Sequence, residues 1–265
     1  MHSSPAFSTV LLYGGIALLG LLAAIGVNAL ADRVAGDEEP PLRGDQCATC
    51  RVALSAGRWL PLAEWWAFHG RCPNCGARLT LRRAGVQVAL ALAFPLLLAH
   101  ATGPGMRVRI APAPLFILDA LVLAALALTF VIDVEHHLIL DVVTYPTAAV
   151  LVLAALLLDR KALAAMAVGV VIAGGLFLAF YWLGRLLYHE EALGLGDVKL
   201  AALVGIAVGW PGIISALFLA ALFGAAISMA LLGLGRVSAR TYIPFGTFLS
   251  VGGAVALLLA VPVWA

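Results

Sequence analysis

The sequence predicts an all-α, polytopic membrane helix bundle of about eight transmembrane helices carrying one small cytoplasmic cysteine loop domain with the character of a zinc knuckle. Three observations carry that prediction. The chain is 63% hydrophobic and 11% charged, where soluble domains carry about 25% charged residues, and its mean hydropathy is +1.06. Its charge-free runs are long enough to cross a bilayer. Those runs are rich in Ala and Leu and lack the period-two alternation of an outer-membrane β-barrel, so strands are not expected.

The runs can be read in order. The first, residues 9–31, has no Lys or Arg before it and exceeds the roughly 7–15 apolar residues of a secretory signal, so it reads as a retained anchor. Further runs cover 84–106, 110–132 with Asp119 as the one interruption, 142–158, 162–184, 200–235 and 241–265. Most approach the ~20 residues that a spanning helix needs. Run 200–235 is too long for one crossing and contains Trp210-Pro211-Gly212, a breaker that divides it into two spans joined by a tight turn. The expected organisation is a first transmembrane helix at 1–31, a cytoplasmic cysteine loop domain at 32–83, and a transmembrane domain at 84–265.

Orientation follows from Lys and Arg, which accumulate on the cytoplasmic side. With the N-terminus outside and eight spans, twelve basic residues fall in inside segments, among them Arg43, Arg51, Arg58, Arg185 and Arg240. Only Arg107, Arg109, Arg160 and Lys161 fall outside. This places the 32–83 loop, residues 133–141, 185–197 and 236–245 together on the cytoplasmic face. The formal net charge of +2 is spread over these loops, so no nucleic-acid partner is expected. The partner implied by the composition is membrane lipid.

All four cysteines lie in the 32–83 loop, as Cys47-Ala-Thr-Cys50 and Cys72-Pro-Asn-Cys75, separated by 21 residues. Two such pairs can present four thiolates to one tetrahedral Zn²⁺, at a spacing just beyond the usual ~15–20 residues. Disulfides are the alternative, disfavoured by a reducing cytoplasm. Four ligands leave no open coordination position, so the expected role is structural.

The chemistry-bearing residues are Asp133, where the third span meets the cytoplasm, and Asp197, where the sixth begins. Carboxylates at such positions are costly. Two of them close together share a proton, so one can act as general base on a water while the other polarises a carbonyl. Gly194 and Gly196 would leave room beside Asp197 for a substrate backbone. Lys199 can pair with lipid phosphate or with Asp197, and the sequence leaves both open. Pro244, Phe245 and Gly246 form a rigid turn at the same depth. His136 and His137 read most simply as polar residues at a membrane boundary. Asp141 reads as an N-cap for the fourth span, and Asp119 as a boundary residue or a helix-packing polar group.

Taken together, residues 28–253 resemble the type IV prepilin peptidase family, membrane aspartic proteases with a Gly-x-Gly-Asp motif. Asn28 and Arg33 resemble its Asn-x4-Arg, and the four cysteines its two-pair loop. Asp133, His136 and Asp141 resemble its Asp-x2-His-x4-Asp stretch. Gly194-Leu-Gly-Asp197-Val-Lys199 resembles the stretch with the second aspartate, and Pro244-Phe-Gly246 its Pro-Phe-Gly turn. Leu140 and Thr247 stand where the family usually has Pro, Gln87 where it often has an acidic residue, and Ala24 where it usually has Gly.

The resemblance implies that Asp133 and Asp197 are a catalytic dyad, with Gly194, Gly196, Lys199, Pro244, Phe245, Gly246, His136 and Asp141 lining the site. It implies cleavage of the leader of prepilins or pseudopilins at the cytoplasmic face of a bacterial inner membrane. It also implies, for many members, N-methylation of the new N-terminus from S-adenosylmethionine, for which no Rossmann-type glycine fingerprint is present. A proton-coupled transporter is the alternative reading. It would place its carboxylates near the midplane of repeated broken helices, whereas these sit at the rim. A zinc-loop scaffold would leave the two Asp motifs unexplained.

Overall fold

The computed structural model describes residues 5–34, 47, 49–50, 52, 69–78, 81–103, 109–188, 194–236, 244–259 and 263–264. Arg43, Arg51, Arg58, Arg107, Arg240 and residues 241–243 lie outside these, as does most of the 32–83 loop. Among the described residues there are seven helices: α1 (Pro5–Val34), α2 (Arg82–Thr102), α3 (Pro112–His136), α4 (Asp141–Leu158), α5 (Ala162–Tyr188), α6 (Leu195–Gly233) and α7 (Phe245–Leu259). No strand accompanies them; only an isolated bridge joins Arg71 to Arg78. Six of the helices are long and apolar enough to cross a membrane.

The chain divides into two compact units, Met1–Leu98 and Ala99–Ala265. In the first, α1 crosses α2 where Gly20 meets the Leu90 carbonyl, leaving no space for a side chain at that crossing. Asn28 Nδ2 donates to the Arg83 carbonyl at 3.3 Å. The Asp32 carboxylate accepts from both Arg82 and Arg83.

In the second unit, small residues let helices approach without the hydrophobic drive that water supplies to soluble proteins. Gly169 of α5 and Gly205 of α6 are in backbone contact, and a Cβ on either would collide with the other's carbonyl. The α7 helix lies between α3 and α6. A Cβ at Gly253 would sit 3.3 Å from Leu126 Cδ1 of α3 and 3.1 Å from Val204 Cγ2 of α6. Phe245, at the start of α7, packs against Phe177 of α5 with its ring tilted by 54° and centroids 5.5 Å apart.

The sixth helix is broken, as its length demanded. Gly209 adopts φ 57°, ψ −169° and Trp210 φ −87°, ψ 138°, the former a conformation essentially reserved for glycine. The break thus falls at Gly209–Trp210, and Pro211 opens the second arm, where its missing N–H costs nothing. Counting both arms, the described residues hold eight helical segments. The last differs from its expected 241–265 extent. Helix α7 has 15 described residues, about 22 Å at 1.5 Å per residue, and begins just after Pro244.

Of two polar residues read from the sequence, one fits an expected alternative and one does not. Asp119, the eighth residue of α3, is 4% exposed, which fits a helix-packing polar group. Asp141 does not cap α4. The helix starts on it, the N-cap is Leu140, and no side chain caps the end.

Candidate active site

The α3 helix ends on His136, and the next residue, His137, turns into the left-handed region at φ 55° while its N–H closes on the Asp133 carbonyl. That leaves Asp133 one turn inside the end of α3, its side chain buried. On α6, Gly194 is the N-cap and Asp197 the third residue of the helix. The Asp197 N–H donates to the Gly194 carbonyl at 3.1 Å, while the Gly194 amide faces the Asp197 carboxylate. Only the return half of a capping box is present, the N3 carboxylate reaching back to the N-cap amide, because the glycine N-cap has no side chain of its own to offer; the Asp197 side chain is buried there.

The first turn of α7 comes between the two carboxylates. The Gly246 amide faces Asp197 and the next amide, that of Thr247, faces Asp133. Thr247 Oγ1 donates to Asp133 Oδ2 at 2.8 Å. A helix N-terminus leaves its first N–H groups without partners inside the helix and carries positive dipole, so two carboxylates there complete it. Asp133 and Asp197, 64 residues apart, are within electrostatic reach of one another.

A Cβ on Gly246 would lie 2.9 Å from Asp133 Oδ2 and 3.0 Å from Ile139 Cδ1. The space beside Gly196 is taken by the same side chain, since a Cβ there would lie 3.1 Å from Ile139 Cβ. Gly194 is more open, its nearest neighbour being Asp197 Oδ2 at 3.7 Å from a built Cβ. Lys199 does not turn to Asp197. Its Nζ reaches both Asp141 oxygens, at 2.7 and 2.9 Å, and lies 5.6 Å from the Tyr145 ring centroid. Pro244 precedes the first turn of α7, and His136 Nε2 is buried with no hydrogen-bond partner. Sequence reasoning missed Ile139 and the part played by Thr247. The first carries no chemical signal, and the second was visible only as a polar residue where the resembling family usually has Pro.

The cysteines, in the first unit, form a cluster of their own. Their four Sγ atoms lie within 4.8 Å of one another, and all four are free thiols. Cys47–Cys75 and Cys50–Cys72 are each 3.7 Å apart, close to the ~3.8 Å edge of a tetrahedron with ~2.3 Å Zn–S bonds. The two pairs have matching turns: Cys47 N–H bonds to the Val52 carbonyl and Cys72 N–H to the Ala77 carbonyl. The Val52 amide and then Asn74 lower the Cys50 thiol to about 6, and the Cys50 amide lowers that of Cys47. At Cys75 the Ala77 amide acts in the lowering sense, but burial and the neighbouring sulfurs raise the thiol to about 12. Four thiols that cannot all ionise alone, at tetrahedral spacing, can hold a metal ion.

Residues 18–101 match the Bacterial Peptidase A24 N-terminal domain and residues 120–229 the Type IV leader peptidase family. The chain is 32% identical to a Prepilin leader peptidase/N-methyltransferase of Aeromonas hydrophila, over 84% of this chain and 75% of that one. It belongs to the type IV leader peptidase family. Another relative with the same name, from Burkholderia pseudomallei (strain 1026b), is 30% identical over 82% of this chain and 67% of its own. A Type 4 prepilin-like proteins leader peptide-processing enzyme of Escherichia coli O78:H11 is 31% identical over 80% and 74%. No solved structure matches the chain. Asp133 and Asp197 fall inside the matched peptidase segment, and the cysteines inside the N-terminal one. Pro244, Phe245, Gly246 and Thr247, which complete the site in space, lie beyond both.

Proposed function

We propose that this family member is an aspartic endopeptidase that removes the leader of type IV prepilins or pseudopilins at the cytoplasmic face of a bacterial inner membrane. Asp133 and Asp197 are its catalytic pair. The observation that carries the reading is the meeting of two carboxylates from separate helices at one helix N-terminus, with one amide of the Gly246–Thr247 pair turned to each. A water between them gives its proton to the ionised carboxylate as its oxygen attacks the scissile carbonyl. The protonated partner donates to the carbonyl oxygen, and the base then passes its proton to the leaving amine. Asp133 lies in the last turn of α3 and Asp197 in the first turn of α6, so a substrate helix packed in lipid brings its leader junction to their depth while the basic leader stays in water.

A structural Zn²⁺ on Cys47, Cys50, Cys72 and Cys75 would fold the loop domain, supplying the constraint that its small core does not. N-methylation appears in the names of the relatives. Among the described residues there is no strand and therefore no Rossmann-type loop, so no residue is assigned to S-adenosylmethionine.

The test is a type IV prepilin incubated with the purified protein in proteoliposomes, with and without S-adenosylmethionine, and the products weighed. A product shortened by the leader is expected, with one methyl group more if the second activity is retained. An uncleaved prepilin with wild-type protein overturns the proposal.

A further inference from the structure

Four threonines are buried among the described residues: Thr129, Thr144, Thr147 and Thr247. Three of them behave as threonines in apolar helices do, donating the hydroxyl to the carbonyl four residues back. Thr129 bonds Ala125 at 2.9 Å, Thr144 bonds Leu140 at 3.2 Å, and Thr147 bonds Val143 at 2.7 Å. Thr247 turns instead to a side chain 114 residues away, placing Oγ1 2.8 Å from Asp133 Oδ2. Its own amide faces the same carboxylate. One residue therefore offers Asp133 two donors, one rigid in the helix backbone and one on a β-branched side chain whose χ1 is stiff.

A carboxylate held at one oxygen cannot rotate freely about its Cβ–Cγ bond. We infer that Thr247 is a positioning residue that ties down Oδ2 of Asp133, so that Oδ1 is the oxygen presented to the hydrolytic water. This rests on Asp133 and Asp197 being the catalytic pair. The hydroxyl makes no contact with substrate in this role. Its loss acts on the chemical step and leaves substrate binding alone. A merely structural threonine would behave otherwise: Val, of the same shape, would replace it without loss of rate.

The experiment compares wild type with Thr247→Val, Thr247→Ala, Thr247→Ser and Asp133→Asn, assaying cleavage of one type IV prepilin in proteoliposomes together with thermal unfolding. Loss of a hydrogen bond to a charged group is expected to lower kcat of the Val and Ala variants by about tenfold, with KM within about twofold and the melting temperature near wild type. The Ser variant keeps the hydroxyl and is expected within about threefold of wild-type kcat, the residual loss reflecting its freer χ1. Val and Ala variants with wild-type kcat, or a Ser variant as slow as Val, overturn the inference even when Asp133→Asn is inactive. An active Asp133→Asn variant overturns the catalytic pair itself, which separates the two failures. Should Val destabilise the helix start, the contrast between Ser and Ala decides the outcome.

Discussion

At Gly246 the site has no room for a methyl group. A Cβ there would press on Asp133 Oδ2 at 2.9 Å and on Ile139 Cδ1 at 3.0 Å, and Gly246 also supplies the amide that faces Asp197. Gly246→Ala is therefore expected to displace a carboxylate rather than unfold the bundle. Prepilin cleavage should fall by about tenfold or more, since misplacing a reacting group by ~1 Å can cost about 10² in rate, while thermal unfolding changes little. Wild-type cleavage by Gly246→Ala would show that the carboxylates do not depend on this turn. Gly196 was legible as a glycine that something must approach, but not what approaches it. The sequence suggests a substrate backbone, and the structure puts Ile139 there. Lys199 gives the same lesson. Its charge was plain, but its partner Asp141 comes from another helix 58 residues away, a pairing that no local pattern encodes.

Among the elements, the α5–α6 crossing sets how the start of α6, and with it Asp197, is held. Gly169 and Gly205 touch through their backbones, so Gly205→Val must push the helices apart. Overpacking of this kind costs about 1–3 kcal/mol, expected as a lowered unfolding temperature in detergent, and an unchanged temperature would mean that the contact is loose. The Lys199–Asp141 pair is partly exposed, with side chains 34% and 54% accessible. Asp141→Asn is thus expected to cost no more than about 1 kcal/mol of stability. A larger loss would show that the pair bears on folding as well as on placing the loop that carries Ile139. Helices were the most legible part of the chain, because long apolar runs leave few other structures in lipid. The break in α6 was legible too, since Pro211 and Gly212 sit near the middle of an overlong run. The start of α7 was less so, since within the apolar run only Pro244 marked its beginning.

For the whole molecule, the two matched segments and the two compact units assign separate tasks: a cysteine-bearing unit that can hold a metal, and a helical unit that brings two carboxylates together. Purified protein is expected to carry about one Zn²⁺ per chain, measured by metal analysis, and Cys72→Ser to lose it. Protons compete with metal for thiolates. Metal retention should therefore decline on acidification. Retention that is indifferent to pH, or a Cys72→Ser variant with full zinc, would remove the four-thiolate site. The cysteine spacing made the four-thiol cluster legible and the two aspartates were legible as a pair, whereas the placing of the Gly246 and Thr247 amides against them was not, since no local pattern encodes it.

The central claim is that Asp133 and Asp197 act as one unit. Its most direct measurement is the rate of leader removal from a type IV prepilin by Asp133→Asn, by Asp197→Asn, and by the double variant, each shown to be folded. Each single substitution is expected to abolish cleavage to within background, a loss of about 10³-fold or more, with no further loss in the double variant. Cleavage near the wild-type rate by either folded single variant would contradict it.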